Sequence, residues 1–427
     1  MAEIITWSPE MACFGAAVVA IGVFDGVHLG HQSLLRDTVA DAAARGVSAV
    51  AITFDRDPDQ IVAPATAAPQ LLTLADKLQF MCETGLDAVL VIPFTAALGE
   101  MSPEAFLDSV LMGAVRPVCV HVGRDFRFGA RAAGDVATML RLGLSRGFEV
   151  VPHELIASEG AAVTSTRIRA FVAAGDVVTA AELLTRSARV TGFVHRGRGE
   201  GAALGFPTAN VVPVTFAALP ADGVYAGRAV LENGDVWACA ISVGTPPSFP
   251  EARDYLEAYL ISFAGDLYDS PITLEFLQRL RDQRPFDSLD DLTDAIANDV
   301  AATREIAGFD DEHRSTDAGE PAIEDPALLE SAEQAVRAQP AHGASGVDWD
   351  SWTPLLAEQP YDLDRLLGLQ HALKAIGIPV KWDPFPPEET PLLKRSFFHS
   401  DRFTIAVPRD RLGEARRLIE TNDSNPE

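Results

Sequence analysis

Lysine is almost missing from this chain. Only Lys77, Lys374, Lys381 and Lys394 occur in 427 residues. No Gly-Lys-Ser/Thr triplet exists, which excludes a P-loop phosphate site. Cysteine is equally sparse. Cys13, Cys82, Cys119 and Cys239 lie far apart with no C-x-x-C pair, so neither a zinc site nor a disulfide framework is expected. A reduced, cytoplasmic setting is expected instead. Long apolar runs are lacking too. The apolar stretch from Ala16 to Phe24 follows Glu3 and Glu10 and no basic residue, so neither a secretion signal nor a transmembrane span is expected. Positive charge is short overall: 34 Lys and Arg face 61 Asp and Glu, a net charge of -27. Such a surface argues against non-specific binding to nucleic acid or an anionic membrane. Any phosphate site must therefore be built locally, from arginines, backbone N–H groups and a divalent cation.

What is present divides into parts. The length suits two to three domains, and no repeat of fixed period is visible. Residues 14–186 alternate apolar runs with helical patterns. Strands are predicted at Val18–Phe24, Ser48–Phe54, Ala88–Ile92, Val118–Val122 and Glu149–Pro152. That alternation predicts a doubly wound parallel sheet, an α/β Rossmann-like domain with ligands at the carboxyl ends of its strands. Residues 187–307 carry short strands separated by turn residues, with Asn233-Gly234 as a hairpin signal. They predict an antiparallel β-barrel or sandwich, closed by a helix over Leu289–Ile306. Residues 308–345 are acidic and rich in Ala and Pro, as in a linker. Residues 346–420 predict a small α+β module, with helices over Leu363–Ile376 and Leu412–Ile419 and strands near Lys381 and Phe403–Val407.

Chemistry concentrates at GVFDGVHLGH, residues 22–31. Gly22 and Gly26 permit a tight turn between a strand and a helix. His28 and His31 stand where the helix begins, with Phe24 beside them. Backbone N–H groups and the helix dipole favour a phosphate there, and two imidazoles can donate to a transferring phosphoryl group. A lone histidine or glycine turn would be unremarkable; their conjunction is the signal. Two further stretches follow. GRDFRFG, residues 123–129, offers Asp125 to hydrogen-bond a planar ring and Phe126 and Phe128 to pack on it, unless the rings are merely core. TSTRIR, residues 164–169, offers Ser165 or Thr166 as a helix cap and Arg169 as positive charge. In the second domain a Gly-rich stretch from Gly197 precedes GFPTAN, residues 205–210. Its Thr208 and Asn210 are neutral oxygens suited to Mg²⁺ held chiefly by a nucleotide.

These stretches resemble, in order and spacing, the signatures of the bifunctional bacterial riboflavin kinase/FAD synthetase family, over residues 14 to about 307. The resemblance implies a nucleotidyltransferase domain at 14–186 and a riboflavin kinase barrel at 187–307. It implies phosphorylation of riboflavin to FMN and adenylylation of FMN to FAD, with ATP and Mg²⁺. It makes Glu275, in ITLEF, the general base, with His28 and His31 as charge stabilisers. Gly22, Phe24, Gly26, Ser165, Thr166, Arg169, Gly197, Thr208 and Asn210 become nucleotide or phosphate contacts. Asp125, Phe126, Phe128 and Arg281 become flavin contacts. Small molecules are the expected partners; oligomeric state is left open. The chain departs from the family pattern at Arg56-Asp57, where a Pro-His pair is usual, and at Tyr259, usually His. These departures keep open a member with one impaired site, and a flavin-binding regulator or an adenylyltransferase for another acceptor are the remaining alternatives.

Overall fold

The computed structural model describes residues 2–308 except 197–200, 202–203, 215, 245–255 and 287, together with three short strands further on. Strands β1 (Glu3–Thr6), β2 (Ala16–Ile21), β3 (Ser48–Phe54), β4 (Ala88–Ile92), β5 (Arg116–Gly123) and β6 (Glu149–His153) form one sheet, in the order β1-β4-β3-β2-β5-β6. Every pairing in it is parallel. The sequence of β2, AAVVAI, is buried along nearly its whole length. A strand covered on both faces by helices reads as such a continuous apolar run. The first domain begins earlier than position 14: β1 pairs with β4 at the sheet edge, and Ile5, Trp7, Met11 and Phe14 pack on the core.

The longest helix of this sheet domain, Leu29–Arg45, starts at His28 and stops at Gly46. Gly46 adopts φ 66°, a left-handed cap that costs glycine little. A two-residue hairpin of β7 (Ala157–Ser158) and β8 (Ala161–Ala162) precedes the helices Ser165–Ala173 and Val177–Leu184.

Beyond the helix Val177–Leu184, strands β9 (Ala188–His195), β10 (Ala209–Pro213), β11 (Gly223–Leu231), β12 (Val236–Val243), β13 (Leu256–Leu260) and β14 (Pro271–Arg281) close an antiparallel barrel, ordered β10-β13-β12-β11-β14-β9. Alternate residues fill it: Ile272, Leu274 and Phe276 are buried inside, while Thr273 and Glu275 face outward. Strand β10 is absent from the sequence-based expectation, since Pro207-Thr208 reads as a turn. The helix Leu289–Ala307 lies on this barrel and ends at Gly308, φ 66°.

The two units are joined by more than the chain. Gln70 donates its N–H to Phe216 O at 2.6 Å and accepts from Ala218 N at 2.7 Å, a strand-like exchange across the boundary. Further along the chain, β15 (Trp352–Pro354), β16 (Lys381–Asp383) and β17 (Thr404–Pro408) form an antiparallel sheet ordered β15-β17-β16. The predicted linker 308–345, apart from Gly308, and the predicted helices at 363–376 and 412–419 lie outside the described residues.

Candidate active sites

In the first domain the chain leaves β2 through a strained turn. Phe24 (φ 57°) and Val27 (φ 36°) both take left-handed backbone, uncommon for non-glycine residues, and both are buried. Packing holds them so. Gly26 (φ 81°) sits against Leu71 and Leu184 with no room for a Cβ. The turn delivers His28 as the cap of the helix Leu29–Arg45: its Nδ1 accepts the backbone N–H of His31 at 3.3 Å. The His28 and His31 rings stack at 3.6 Å, and Phe24 meets His31 edge-on at 5.3 Å. With Nδ1 accepting, the His28 proton resides on Nε2. Burial lowers the His28 pKa to about 4 and holds His31 well below the usual range. Both rings are neutral N–H donors at physiological pH. The His31 Nδ1 is buried without a protein partner.

These residues line a cleft of about 1390 Å³. Gly22, Phe24, His28 and His31 line it, together with Asp125, Phe126 and Phe128 from the loop after β5. Ser165 and Thr166 come from the start of the helix Ser165–Ala173. Three stretches distant in sequence thus meet at the carboxyl ends of β2 and β5. Phe126 and Phe128 stack on each other at 5.4 Å, and Phe128 is core while Asp125 is exposed.

Several expectations need correction. Thr164, rather than Ser165 or Thr166, caps the helix, accepting Arg167 N–H at 3.2 Å. Ser165 Oγ instead donates to Asp25 O at 2.8 Å, tying the third motif to the first. Arg169 does not line the cleft. It is held by Asp25 Oδ2 at 2.6 Å and Pro69 O at 2.6 Å, so it is neutralised inside the protein. Nor does Gly26 line it; its role is the turn. Asp57 lies 3.7 Å from Arg169. Burial, then the neighbouring Asp25, raises its pKa to about 6. Arg56 pairs with Asp55 rather than Asp57. Lys77, which sequence reasoning passed over, is buried beneath this cluster and donates to Phe54 O at 2.8 Å and Val23 O at 3.2 Å.

The barrel carries a second cluster. Gly201 pins the segment before β10, accepting N–H groups of Leu204 and Phe206. A Cβ on Gly201 would stand 2.4 Å from Phe206 O. Thr208 then leads into β10, where Asn210 faces away from the barrel interior and is nonetheless buried. Across the ladders Asn210 is opposite His195 on β9 and Glu257 on β13, and Glu257 is opposite Ser242. Residues directly opposite in an antiparallel pair share a face. Tyr259, in place of the usual His, packs edge-on against Phe206 at 5.5 Å.

Glu275 is not brought to this cluster. It pairs with Arg189 at 2.6 Å, and Arg189 also binds Asp76 of the first domain at 3.1 Å. Its register partner on β9 is Arg189, six residues along that strand from His195, the partner of Asn210. At ~3.3 Å per residue that is roughly 20 Å. Glu257, which the sequence analysis did not single out, holds the position beside Asn210. Arg281 is likewise committed elsewhere: it forks onto Asp299 of the helix Leu289–Ala307 at 2.7–3.1 Å. Gly197 lies outside the described residues.

A family model described as FAD synthetase matches residues 11–167, and one described as riboflavin kinase matches residues 184–307. A Pseudomonas fluorescens bifunctional riboflavin kinase/FMN adenylyltransferase is 36% identical over 291 residues, 68% of this chain and 93% of that protein. The chain belongs to the bifunctional riboflavin kinase/FMN adenylyltransferase family. The Escherichia coli K12 member is 31% identical over 305 residues, 71% of this chain and 96% of its own length. A solved structure described as a macrolide-efflux protein from Streptococcus pneumoniae superposes with a TM-score of 0.61 at 25% identity, covering 70% of this chain and 98% of that one. Among the described residues no helix is long and apolar enough to cross a membrane. The family models fall on the two units already drawn: the first within the parallel-sheet domain, the second on the barrel and its closing helix.

Proposed function

We propose that this family member makes FAD in two steps, one in each unit, as a cytoplasmic enzyme. The carrying observation is the cleft in which GVFDGVHLGH, GRDFRFG and TSTRIR converge. In the barrel, the terminal ribityl hydroxyl of riboflavin attacks the γ-phosphorus of ATP. A P–O bond forms, the bond to the β-phosphate oxygen breaks, and ADP leaves. Glu257 takes the hydroxyl proton; its place beside Asn210 supports it over Glu275, which is spent on Arg189. Thr208 and Asn210 present neutral oxygens of the kind Mg²⁺ accepts while it keeps waters and phosphates. Bound there with ATP, Mg²⁺ would neutralise phosphate charge; the chain's part is to hold the nucleotide at the mouth of β10.

In the first unit a phosphate oxygen of FMN attacks the α-phosphorus of a second ATP, and pyrophosphate leaves. The substrate itself is the nucleophile, so no covalent enzyme intermediate is needed. His28 donates from Nε2 to the oxygens on which charge grows, with His31 stacked behind it. Thr166 and Ser165 line the nucleotide end, while Phe126 and Asp125 line the side open to a planar ring. Arg169 supports this site indirectly, by fixing Asp25.

The test is separation of flavins after incubation with riboflavin, ATP and Mg²⁺. The intact protein gives FMN, then FAD. Glu257→Gln cuts FMN formation ~10²–10⁴-fold but still converts added FMN. Glu275→Gln continues to form FMN. His28→Ala accumulates FMN and loses FAD formation by ~10²–10³-fold. An active Glu257→Gln kinase would sink the assignment of the base. No product from the intact protein would sink the two-step reading.

A further inference from the structure

A second histidine pair stands at the edge of the cleft, outside the three motifs that meet there: His153 lines the cleft and His121 does not. His121 is on β5 and His153 on β6, at the carboxyl ends of neighbouring strands. His153 Nε2 stands 2.8 Å from His121 Nδ1. The helix Leu29–Arg45 supplies two carboxylates one turn apart. Asp37 Oδ2 lies 3.3 Å from His153 Nδ1, and Asp41 Oδ2 lies 3.1 Å from His121 Nε2. Cys119, two residues before His121 on the same strand face, completes the group. One ligand atom each from Asp41, Cys119 and His121 falls within 4.8 Å of the others.

Proton accounting makes this arrangement incomplete. Asp37, His153, His121 and Asp41 form a line with three polar gaps. Two neutral imidazoles own one N–H each. Two N–H groups across three gaps leave one pair of facing acceptors; in one tautomer pair His153 Nδ1 donates to Asp37 and His121 Nδ1 donates to His153 Nε2. The pair then left is His121 Nε2 and Asp41 at 3.1 Å, where a cation bound between them completes the line; in another tautomer pair His121 donates to Asp41 and the gap falls at exposed Asp37. The same line is the support a ligating histidine ordinarily has: its second nitrogen donates to a partner that fixes the tautomer.

We propose that Asp41, Cys119 and His121 form a binding site for a divalent transition metal of the zinc class, with His153 and Asp37 orienting His121. A tetrahedral zinc holds nitrogen and oxygen at ~2.0–2.1 Å and sulfur at ~2.3 Å, which puts its ligand atoms roughly 3.3–3.8 Å apart. Closing from the present spacing takes about an ångström of side-chain rotation. A thiol with an imidazole selects against Mg²⁺, so this ion is distinct from the one that travels with ATP. Arg45 does not oppose it, because its charge is already shared between Asp41 at 2.8 Å and Glu149 at 2.6 Å. Cys119 and His121 are buried and Asp41 is part-exposed, so the ion reaches the site past Asp41. Burial, then Asp41, raises the Cys119 thiol to about 12. The metal-free thiol therefore keeps its proton, and binding releases it. The bound ion would anchor to the sheet the same helix whose first turn carries His28 and His31. Ligands at positions 41, 119 and 121 have no motif spacing, which is why no zinc site is expected from the sequence.

The experiment uses the untagged full-length protein, stripped with a chelator. Zn²⁺ is titrated against a chromophoric competitor, and Co²⁺ is added separately as a spectroscopic probe. The expected result is one tight equivalent per chain, undisturbed by excess Mg²⁺, with a thiolate-to-cobalt absorption band. Cys119→Ser abolishes that band, and His121→Gln and the part-exposed Asp41→Asn each weaken Zn²⁺ binding at least tenfold while far-UV circular dichroism is unchanged. Substoichiometric binding would overturn the proposal, since the line would then be completed by a shared proton. Binding that survives all three substitutions would overturn it as well.

Discussion

Asp57 shows what a single residue can hide in a sequence. Read as a string, it is a carboxylate where related chains carry histidine, and its effect on phosphate binding is the natural worry. In the fold it faces inward, 3.7 Å from Arg169 and near Asp25, and burial lifts its pKa to about 6. A carboxyl whose folded pKa exceeds its unfolded value binds its proton more tightly when folded. Stability is therefore undiminished below the unfolded pKa and is lost as pH rises through 6. Asp57→Asn should raise the melting temperature at pH 7.5, and the gain should shrink as pH falls from 6 towards 4; thermal melts across that range check it. The two glutamates teach the same lesson. Glu257 and Glu275 each sit in a strand with alternating apolar neighbours, and nothing in either stretch ranks one above the other. Register ranks them: one faces Asn210, the other Arg189.

Among elements, those with punctuation were legible. The strand–turn–helix around His28 is announced by two glycines, and the helix Leu289–Ala307 by a Ser288 cap and Gly308 stop. Strand β1 was not, because its four residues, charged Glu3 among them, carry too little alternation. Strand β10 was masked by the turn chemistry of its own approach. The resemblance makes Arg281 a flavin contact, yet its side chain forks onto Asp299 and helps fasten the closing helix to the barrel. Asp299 is only 8% exposed, and a buried carboxylate stripped of its partner costs about 3 kcal/mol. Arg281→Ala should therefore lower the melting temperature of the barrel, while the Michaelis constant for riboflavin at 20 °C stays within about twofold of the parent, as a steady-state assay would read.

The molecule as a whole is more unified than its sequence rhythm suggests. The change of pattern near Arg186 falls between the helix Val177–Leu184 and β9, and the residues there reach back into the sheet domain. Arg186 donates to the carbonyls of Gly26 and Val27 in the turn that presents His28. It also stacks on Phe80 at 3.9 Å, with Arg189 on the same ring at 4.8 Å. Gln32, in the first helix, donates to Thr185 Oγ1 at 2.7 Å. Contacts of this kind have no local signature, since each joins residues more than a hundred positions apart. Arg189 stands between two carboxylates, Asp76 across the seam at 3.1 Å and Glu275 within the barrel at 2.6 Å. Arg189→Ala strands two part-buried carboxylates at the seam and should cost about 2–4 kcal/mol. In calorimetry a joint unfolding transition should resolve into two, with the kinase unit melting first.

The exchange of backbone hydrogen bonds between Gln70 and the Phe216–Ala218 segment bears on descent as well as on stability. No side chain makes it, so substitutions cannot readily erode it. A lineage that stopped needing one of the two activities would still need that unit as scaffolding for the other. Its catalytic residues would drift while its fold was kept, and decay would leave a silent domain in place of a deletion.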